Sequence, residues 1–474
     1  MKRALVLALA ACGPKLSTPG VIPGRTDPAA VHVDGSAFRD GQGRQLLFRG
    51  YNAKVNGIFD ATFDDGRAPN EVFPDFDEAS AQKFEELGFD AMRLTINWSA
   101  LEPRPQKYSE AFFSKVDAVL DMAHRHHFYV ILDMHQDAYS KEIGEDGAPL
   151  WAIVPPPQTL LSGPSDDSRR TSPEVLQAGI DFFANAQATD GRPLQQAFIT
   201  AVSTMAKRYT FDAAVLGFEA FNEPVVFHQD QLDAFHASFA DTLHAIDRDA
   251  PILFEPISTR NQFDQAEIPS APFVHGAGVY AVHVYTGWFS QVTGWQNDPS
   301  VLAPSMQHAV AEAAAWGTPL FVTEFGCDQS GADGATWLKD ELDLQDRVLA
   351  SSTTWTWEPG AWGIRHDDAS NAILYWPATI AAVSRPYPRA VAGDLISIER
   401  PSPDRMVVHW RTNPKTISQT HEVSASPDYF SDYSIFCDGS PASDVVRSLG
   451  RATFTCPASP GDHTFEVRGT LVSP

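Results

Sequence analysis

The chain has 474 residues, 43% of them hydrophobic and 20% charged, with a formal net charge of −25. Such a composition belongs to a soluble globular protein large enough for a barrel-sized domain and a smaller one. The acidic balance excludes nucleic acid as a partner, because phosphate contacts need clustered Lys and Arg, and it argues against electrostatic docking on anionic lipid; a neutral sugar or a zwitterionic glycolipid is compatible with it.

Residues 1–12 read as a signal segment, with Lys2 and Arg3 ahead of the apolar stretch Ala4–Ala11. Leu9-Ala10-Ala11-Cys12 resembles the lipobox of bacterial lipoproteins, in which the cysteine is lipidated and becomes the mature N-terminus. That resemblance implies a secreted or cell-surface bacterial lipoprotein attached to a membrane through Cys12. No run of about 20 apolar residues follows, so no spanning helix is expected. Residues 13–30 form a tether rich in Pro, Gly, Ser and Thr. Asp34-Gly35 then signals a hairpin opening the first domain.

Eight short runs with strand character follow, near residue 47 and at 91–98, 129–136, 215–223, 251–257, 279–285, 320–326 and 353–359. They are β-branched or aromatic and nearly continuously apolar in their first halves, as strands buried on both faces of a parallel sheet must be. Amphipathic helical stretches at 79–88, 112–127, 194–209, 232–247, 305–316 and 337–350 separate most of them. Eight strands alternating with helices predict an α/β fold, a (β/α)8 barrel over 31–392. The third and fourth strands stand about 80 residues apart, and loops of that length are usually functional. The insertion carries Trp151, Ile153, Leu160 and Leu161 among prolines, which makes an apolar wall beside the site the expectation. From 393 to 474 short alternating strands and Pro/Gly/Asp turns predict an antiparallel β-sandwich. A disulfide between Cys437 and Cys456 would suit an exported protein. Cys327, directly after a barrel strand, reads as a buried thiol without a catalytic role.

Polar residues fall at the C-terminal ends of these strands: Asn52, Arg93, Asn97, His135, Glu223, His283, Glu324 and Trp357. A strand buried on both faces has no structural need for a charge at its exit, and barrel chemistry sits at that rim. Two strings carry the most information, FEAFNEP at 218–224 and LFVTEFG at 320–326. Each places a glutamate at a strand exit, and a carboxyl pair in one pocket can cleave a glycosidic bond. Asp133, His135 and Asp137 share one strand face and could be read as a metal cluster. Cleavage by two carboxylates needs neither metal nor cofactor, and none is assigned.

RGYN, MRLTINW, ILDMHQD, FNEP, HVY, TEFG and TWTWE, in that order, resemble glycoside hydrolase family 5. DMHQDAYS at 133–140 and the C-terminal sandwich resemble its endoglycoceramidase group. The resemblance implies a retaining β-glycosidase with Glu223 as acid/base and Glu324 as nucleophile. It also implies substrate contacts from Arg93, His135, Asp137, Asn222, His283, Tyr285 and Trp357, with Lys54 reaching a sugar farther out. Within this set Arg93 and Tyr285 are the expected partners of ionised Glu324, Asn222 of the sugar 2-hydroxyl, and Trp357 the floor under the cleaved sugar; His283 contacts the sugar or orients Glu223. The implied reaction releases a glycan from ceramide; a monomer is the separate expectation for the assembly. Two alternatives stand beside it: another family 5 β-glucosidase or endoglucanase, and a non-catalytic carbohydrate-binding surface lipoprotein.

Overall fold

A computed structural model describes residues 28–164, 167–263, 276–287, 297–367, 373–457 and 459–472. The signal segment with Cys12 and nearly all of the tether lie outside the described residues.

Eight parallel strands close into a barrel. They are β1 (Arg49–Ala53), β2 (Ala91–Ile96), β3 (Tyr129–Met134), β4 (Val215–Glu219), β5 (Ile252–Phe254), β6 (Gly278–Val284), β7 (Leu320–Gly326) and β8 (Ser351–Trp355). β8 pairs back onto β1 through Ser352↔Arg49, which completes the ring. Every residue of β2, β3 and β6 is buried, which is why those segments lack the polar alternation of a half-exposed strand. Between them run α1 (Glu78–Glu86), α2 (Glu110–His126), α3 (Pro173–Phe183), α4 (Leu194–Tyr209), α5 (Gln229–His244), α6 (Ala303–Trp316) and α7 (Ala332–Val348). Each but α3 buries one stripe against the strands, as an amphipathic helix does; α3 packs Phe182 and Phe183 against Phe198 of α4 and Phe235 of α5. In α2 that stripe is Phe112, Phe113, Val116, Val119, Leu120 and Ala123, and Ser109 caps its start by accepting from the Phe112 N–H. α3 lies in the insertion and was not anticipated from the sequence.

The domain limits expected at 31–392 and 393–474 do not match a division between sheets. Strands Val31–Asp34, Ala37–Asp40 and Gln45–Leu46 join Pro388–Val391, Thr420–Ser424, Arg451–Thr455 and Ser443–Ser448 in one seven-stranded antiparallel sheet. The N-terminal hairpin therefore belongs to the sandwich as well as to the barrel. Its Phe38 plugs the barrel floor, packing edge-on against Phe48 and Phe321 with ring centroids at 5.3 and 6.2 Å. A five-stranded sheet forms the sandwich's second layer, and the Cys437–Cys456 disulfide links the two layers.

The sandwich is fastened to the barrel at the strands' N-terminal ends. The turn at Gly450 (φ +64°) lies so close to the carbonyl of Glu85 that a Cβ would fall 1.7 Å from it. Only glycine combines that backbone with that approach. Asp346 on α7 accepts from Arg49, Arg385 and Arg400, a buried knot joining barrel to sandwich. The opposite rim, where the strands exit, is left to the loops.

Candidate active site

The exits of β1 to β8 converge on Arg93, which is fully buried. Its guanidinium donates to Glu219 (2.6 Å), Asn52 (3.0 Å), Glu324 (2.5 Å) and Asn222 (2.8 Å), and faces Asp133 at 3.0 Å and Glu255 at 3.4 Å. One cation thus meets four carboxylates from β3, β4, β7 and the exit of β5. Burial works against the charge, but those four anions hold its pKa well above the ordinary arginine value. A planar five-donor fork is the side chain suited to so many partners at once.

Glu324, on β7, accepts from Arg93 through Oε1 and from the Tyr285 hydroxyl through Oε2 at 2.7 Å. Glu223 stands just past β4 with φ +41°, a left-handed conformation that costs a non-glycine residue free energy. Its N–H donates to Glu255 at 3.1 Å, and Gln136 donates to the carbonyls on either side of the same bend. The Glu223 carboxyl turns into the barrel mouth and meets His283 Nδ1 at 2.8 Å; the same nitrogen lies 3.4 Å from Glu324. The ligating atoms of Glu223, His283 and Glu324 all lie within 4.8 Å of one another. Two glutamates 101 positions apart in sequence therefore share one gap.

The protons in that gap are unevenly held. Burial disfavours the His283 cation, but Glu255, Glu324 and the hydrogen bond to Glu223 raise its pKa well above the ordinary histidine value. Burial also opposes ionisation of Glu223, yet the His283 hydrogen bond and charge outweigh it and leave this carboxyl below its usual range. Glu324 is raised, by burial first, with His283 and Arg93 pulling the other way. The proton of the Glu223–His283 pair thus rests on the imidazole, and Nδ1–H donates to Glu223.

A second chain of charges flanks the first. His135 Nδ1 contacts Asp133 at 2.7 Å, and its Nε2 lies 3.5 Å from Asp137. Arg170, from the insertion, clamps Asp137 at 3.2 Å and Glu145 at 2.8 Å. Burial and the neighbouring Asp137 push Asp146 up to about 8. Lys54 sets its ammonium over three rings, 5.0 Å from Phe59 and from Phe73 and 4.9 Å from Trp355.

A sequence-family model, Cellulase (glycosyl hydrolase family 5), matches residues 57–361. The chain belongs to glycosyl hydrolase family 5. Among its relatives, Endoglycoceramidase I of Rhodococcus hoagii (strain 103S) is 26% identical over 453 residues, covering 87% of this chain and 83% of the relative. A glucosylceramidase of Aspergillus fumigatus is 30% identical over 138 residues, 26% of this chain and 18% of the relative. In fold, the chain is similar to a crystal structure of endogalactoceramidase (TM-score 0.77, 22% identity, 93% of this chain and 100% of that one). It is also similar to Endo-glycoceramidase II from Rhodococcus sp. (TM-score 0.74, 22% identity, 94% and 100%). This family 5 protein is a glycosidase, similar to the endoglycoceramidases.

Within the family 5 barrel, Glu223, Glu324, Asn222, Tyr285, His135, Asp137 and Lys54 gather at one rim, as the sequence placed them. Arg93 and His283 are fully buried and lie behind the two carboxyls. Trp357 is a correction. It is 2% exposed and packs against Tyr51, Phe76, Phe84 and Tyr375, so it is core indole and cannot be the floor of a sugar site. The half-exposed indole at the β8 exit is Trp355, stacked on His135 at 5.6 Å and 13°. Glu219, Glu255 and Arg170 were also missed, and Asp133 was weighed only as a metal ligand. Glu255 carries the same signal as the others, a charge at a strand exit, in the run PILFEPI. Arg170 lies in the irregular insertion, where no periodicity marks it.

Beside Glu223 opens a cleft. Asp137, Arg170 and Glu223 form its polar end, while Val175, Leu176, Phe182, Phe183, Phe221 and Val225 form an apolar wall. α3 supplies most of that wall. The insertion thus does provide apolar surface at the site, through α3 and not through Trp151 or Ile153, which face the core.

Proposed function

We propose that this protein is a retaining β-glycosidase that hydrolyses the bond between glycan and ceramide in glycosphingolipids. The observation that carries the proposal is the joint placement of the two carboxyls. They reach within 4.8 Å of one another, and the apolar wall begins at Glu223. A separation that short leaves no room for an inverting water between the carboxyls and matches double displacement. Glu324, activated by Arg93 and Tyr285, attacks the anomeric carbon. Glu223 protonates the departing oxygen with the proton held between it and His283. In the second step Glu223 takes a proton from water, which hydrolyses the glycosyl-enzyme. Asn222, fixed by Arg93 and by its own donation to the Gln136 carbonyl, faces the sugar 2-hydroxyl. Trp355 is the stacking surface and Lys54 with Asp137 the polar contacts on the glycan side.

The leaving group departs on the Glu223 side, and that side is where Leu176, Phe183 and Val225 lie. A polysaccharide acceptor would call for aromatic platforms with polar neighbours there; a wall of valine, leucine and phenylalanine side chains packed on one another suits a lipid chain. Incubation with a ganglioside and, separately, a soluble β-glucan tests this. Release of intact glycan from the ganglioside alone is expected, and turnover of β-glucan alone would replace the lipid reading by an endoglucanase. Leu176→Asp should raise KM for the ganglioside about tenfold, the worth of a lost apolar side-chain contact, while sparing a soluble aryl lactoside.

We place the protein outside the cytoplasm, held by a lipid on Cys12. The lipobox-like sequence and the Cys437–Cys456 disulfide favour that reading. Cys12→Ser is expected to move the protein from the membrane fraction to the medium or periplasm, and unchanged membrane association would refute lipidation.

A further inference from the structure

Glu255 touches no part of the open cleft, yet it contacts three members of the catalytic machinery. It is 1% exposed and stands at the exit of β5, behind the gap shared by Glu223 and Glu324. Its Oε2 accepts from the Glu223 N–H at 3.1 Å. Its Oε1 lies 3.4 Å from His283 Nε2 and 3.4 Å from Arg93 Nη2. Glu219 from β4 faces the same space, its ligating atom within 4.8 Å of those of Glu255 and His283. Asp133 closes the group from β3 through Arg93. With both Glu223 and His283 claimed by one buried carboxylate, three separate geometric facts point to one role.

We infer that Glu255 is a positioning residue for proton transfer, fixing which imidazole nitrogen of His283 exchanges a proton with Glu223. The inference rests on the glycosidase reading and on Glu223 as its acid. A carboxylate against Nε2 keeps a proton on that nitrogen, so the mobile proton of the ring is the one on Nδ1. As the glycosidic bond breaks, the Glu223 proton passes to the leaving oxygen, having come from Nδ1; the ring is left neutral, with Nε2–H still facing the Glu255 carboxylate. Hydrolysis of the glycosyl-enzyme reverses the path: water gives a proton to Glu223, and Nδ1 recovers it. The same carboxylate binds the N–H of the left-handed Glu223 backbone, holding the acid's main chain in the bend that aims its side chain into the gap. The ring and the acid are thus registered against one anchor.

Glu255→Gln removes the charge and keeps the shape. Aryl β-lactosides with phenol leaving groups of graded acidity read the consequence, because a poor leaving group needs protonation and a dinitrophenolate does not. The variant should lose about 10- to 100-fold in kcat/KM on poor leaving groups and within about threefold on the dinitrophenyl compound. Its alkaline limb should move to lower pH, because the pair loses its proton more readily, and Glu255→Asp should restore part of both. Equal losses across all leaving groups, or an unmoved alkaline limb in a variant that melts like the wild type, would overturn the assignment. If the wild type cleaves neither ganglioside nor aryl lactoside, the proposed function fails instead. His283 is then titrated directly by nitrogen-15 NMR in wild type and Glu255→Gln. An Nε2-protonated ring that stays cationic to higher pH in the wild type supports the role, and identical titrations refute it.

Discussion

Replacing Glu324 with glutamine is expected to lower turnover on the order of 10⁴-fold or more, on glycolipid and on aryl lactoside alike. The amide keeps the volume of the carboxyl and can still accept from the Tyr285 hydroxyl. It cannot attack the anomeric carbon, and it presents neutral atoms to Arg93, whose other three anionic partners stay in place. The protein should therefore fold and bind sugar while cleaving none. Glu223→Ala should behave differently. Without the acid, first-step cleavage of poor leaving groups falls about 10²- to 10⁴-fold, while an activated aryl glycoside still forms the glycosyl-enzyme and stalls there for want of a base. Azide, small enough for the space left by the missing carboxyl, should restart that stalled enzyme and give a glycosyl azide of retained β configuration. A Glu324→Gln enzyme within tenfold of the wild type would remove Glu324 as nucleophile. An α-configured azide would remove double displacement.

The barrel was legible because its strands are short, apolar and separated by helices of helical period, and all eight strands fall where the runs lie. Boundaries moved by a few residues only. The shared sheet was not legible, since strand pairing between residues 45–46 and 390–391 is a long-range contact that leaves no local pattern. The missed α3 has the same cause: the insertion's prolines mask an amphipathic helix whose Ser172 cap and Pro173 start are ordinary signals. Charges at strand exits located the carboxyl pair, because burial makes such charges expensive unless they are used. What failed was the exchange of Trp355 for Trp357, two aromatic residues in TWTWEP on either side of a strand end. An exit tryptophan can face the mouth or the core, and residue type alone does not choose. The structure chooses by packing: Phe84 and Tyr51 enclose Trp357, while His135 offers Trp355 a face at the rim.

Arg93 makes the sharpest remaining demand on the electrostatics. Four carboxylates surround it, and Glu219 among them is pushed up to about 8, by burial first and against the pull of Arg93. Arg93→Met leaves those groups in a dry interior without their cation, a loss worth about 3–5 kcal/mol for a broken buried pair. The acids escape by binding protons. Their folded pKa values then lie above the unfolded ones, so the folded state gains protons relative to the unfolded state. Its stability is highest below the unfolded carboxylate range and falls as pH rises through the folded values. The variant's melting temperature should thus fall short of the wild type most at pH 7 and above, and the shortfall should narrow toward pH 5. Activity carries the same sign. Glu324 must be ionised to attack, Arg93 is one of the charges that oppose its rise, and removing that charge moves the acidic limb of the rate profile upward. Arg93→Lys separates the contributions where the methionine variant is too unstable to assay. An ammonium keeps one positive charge but cannot reach Asn52, Asn222, Glu219 and Glu324 together, as the fork does. The lysine enzyme is expected to melt close to the wild type, to lose about 10²-fold in kcat through misplacement of Glu324 and Asn222, and to shift its acidic limb less than the methionine enzyme. An acidic limb that stays put in both variants would mean that Glu324 owes its charge to Tyr285 and His283 alone.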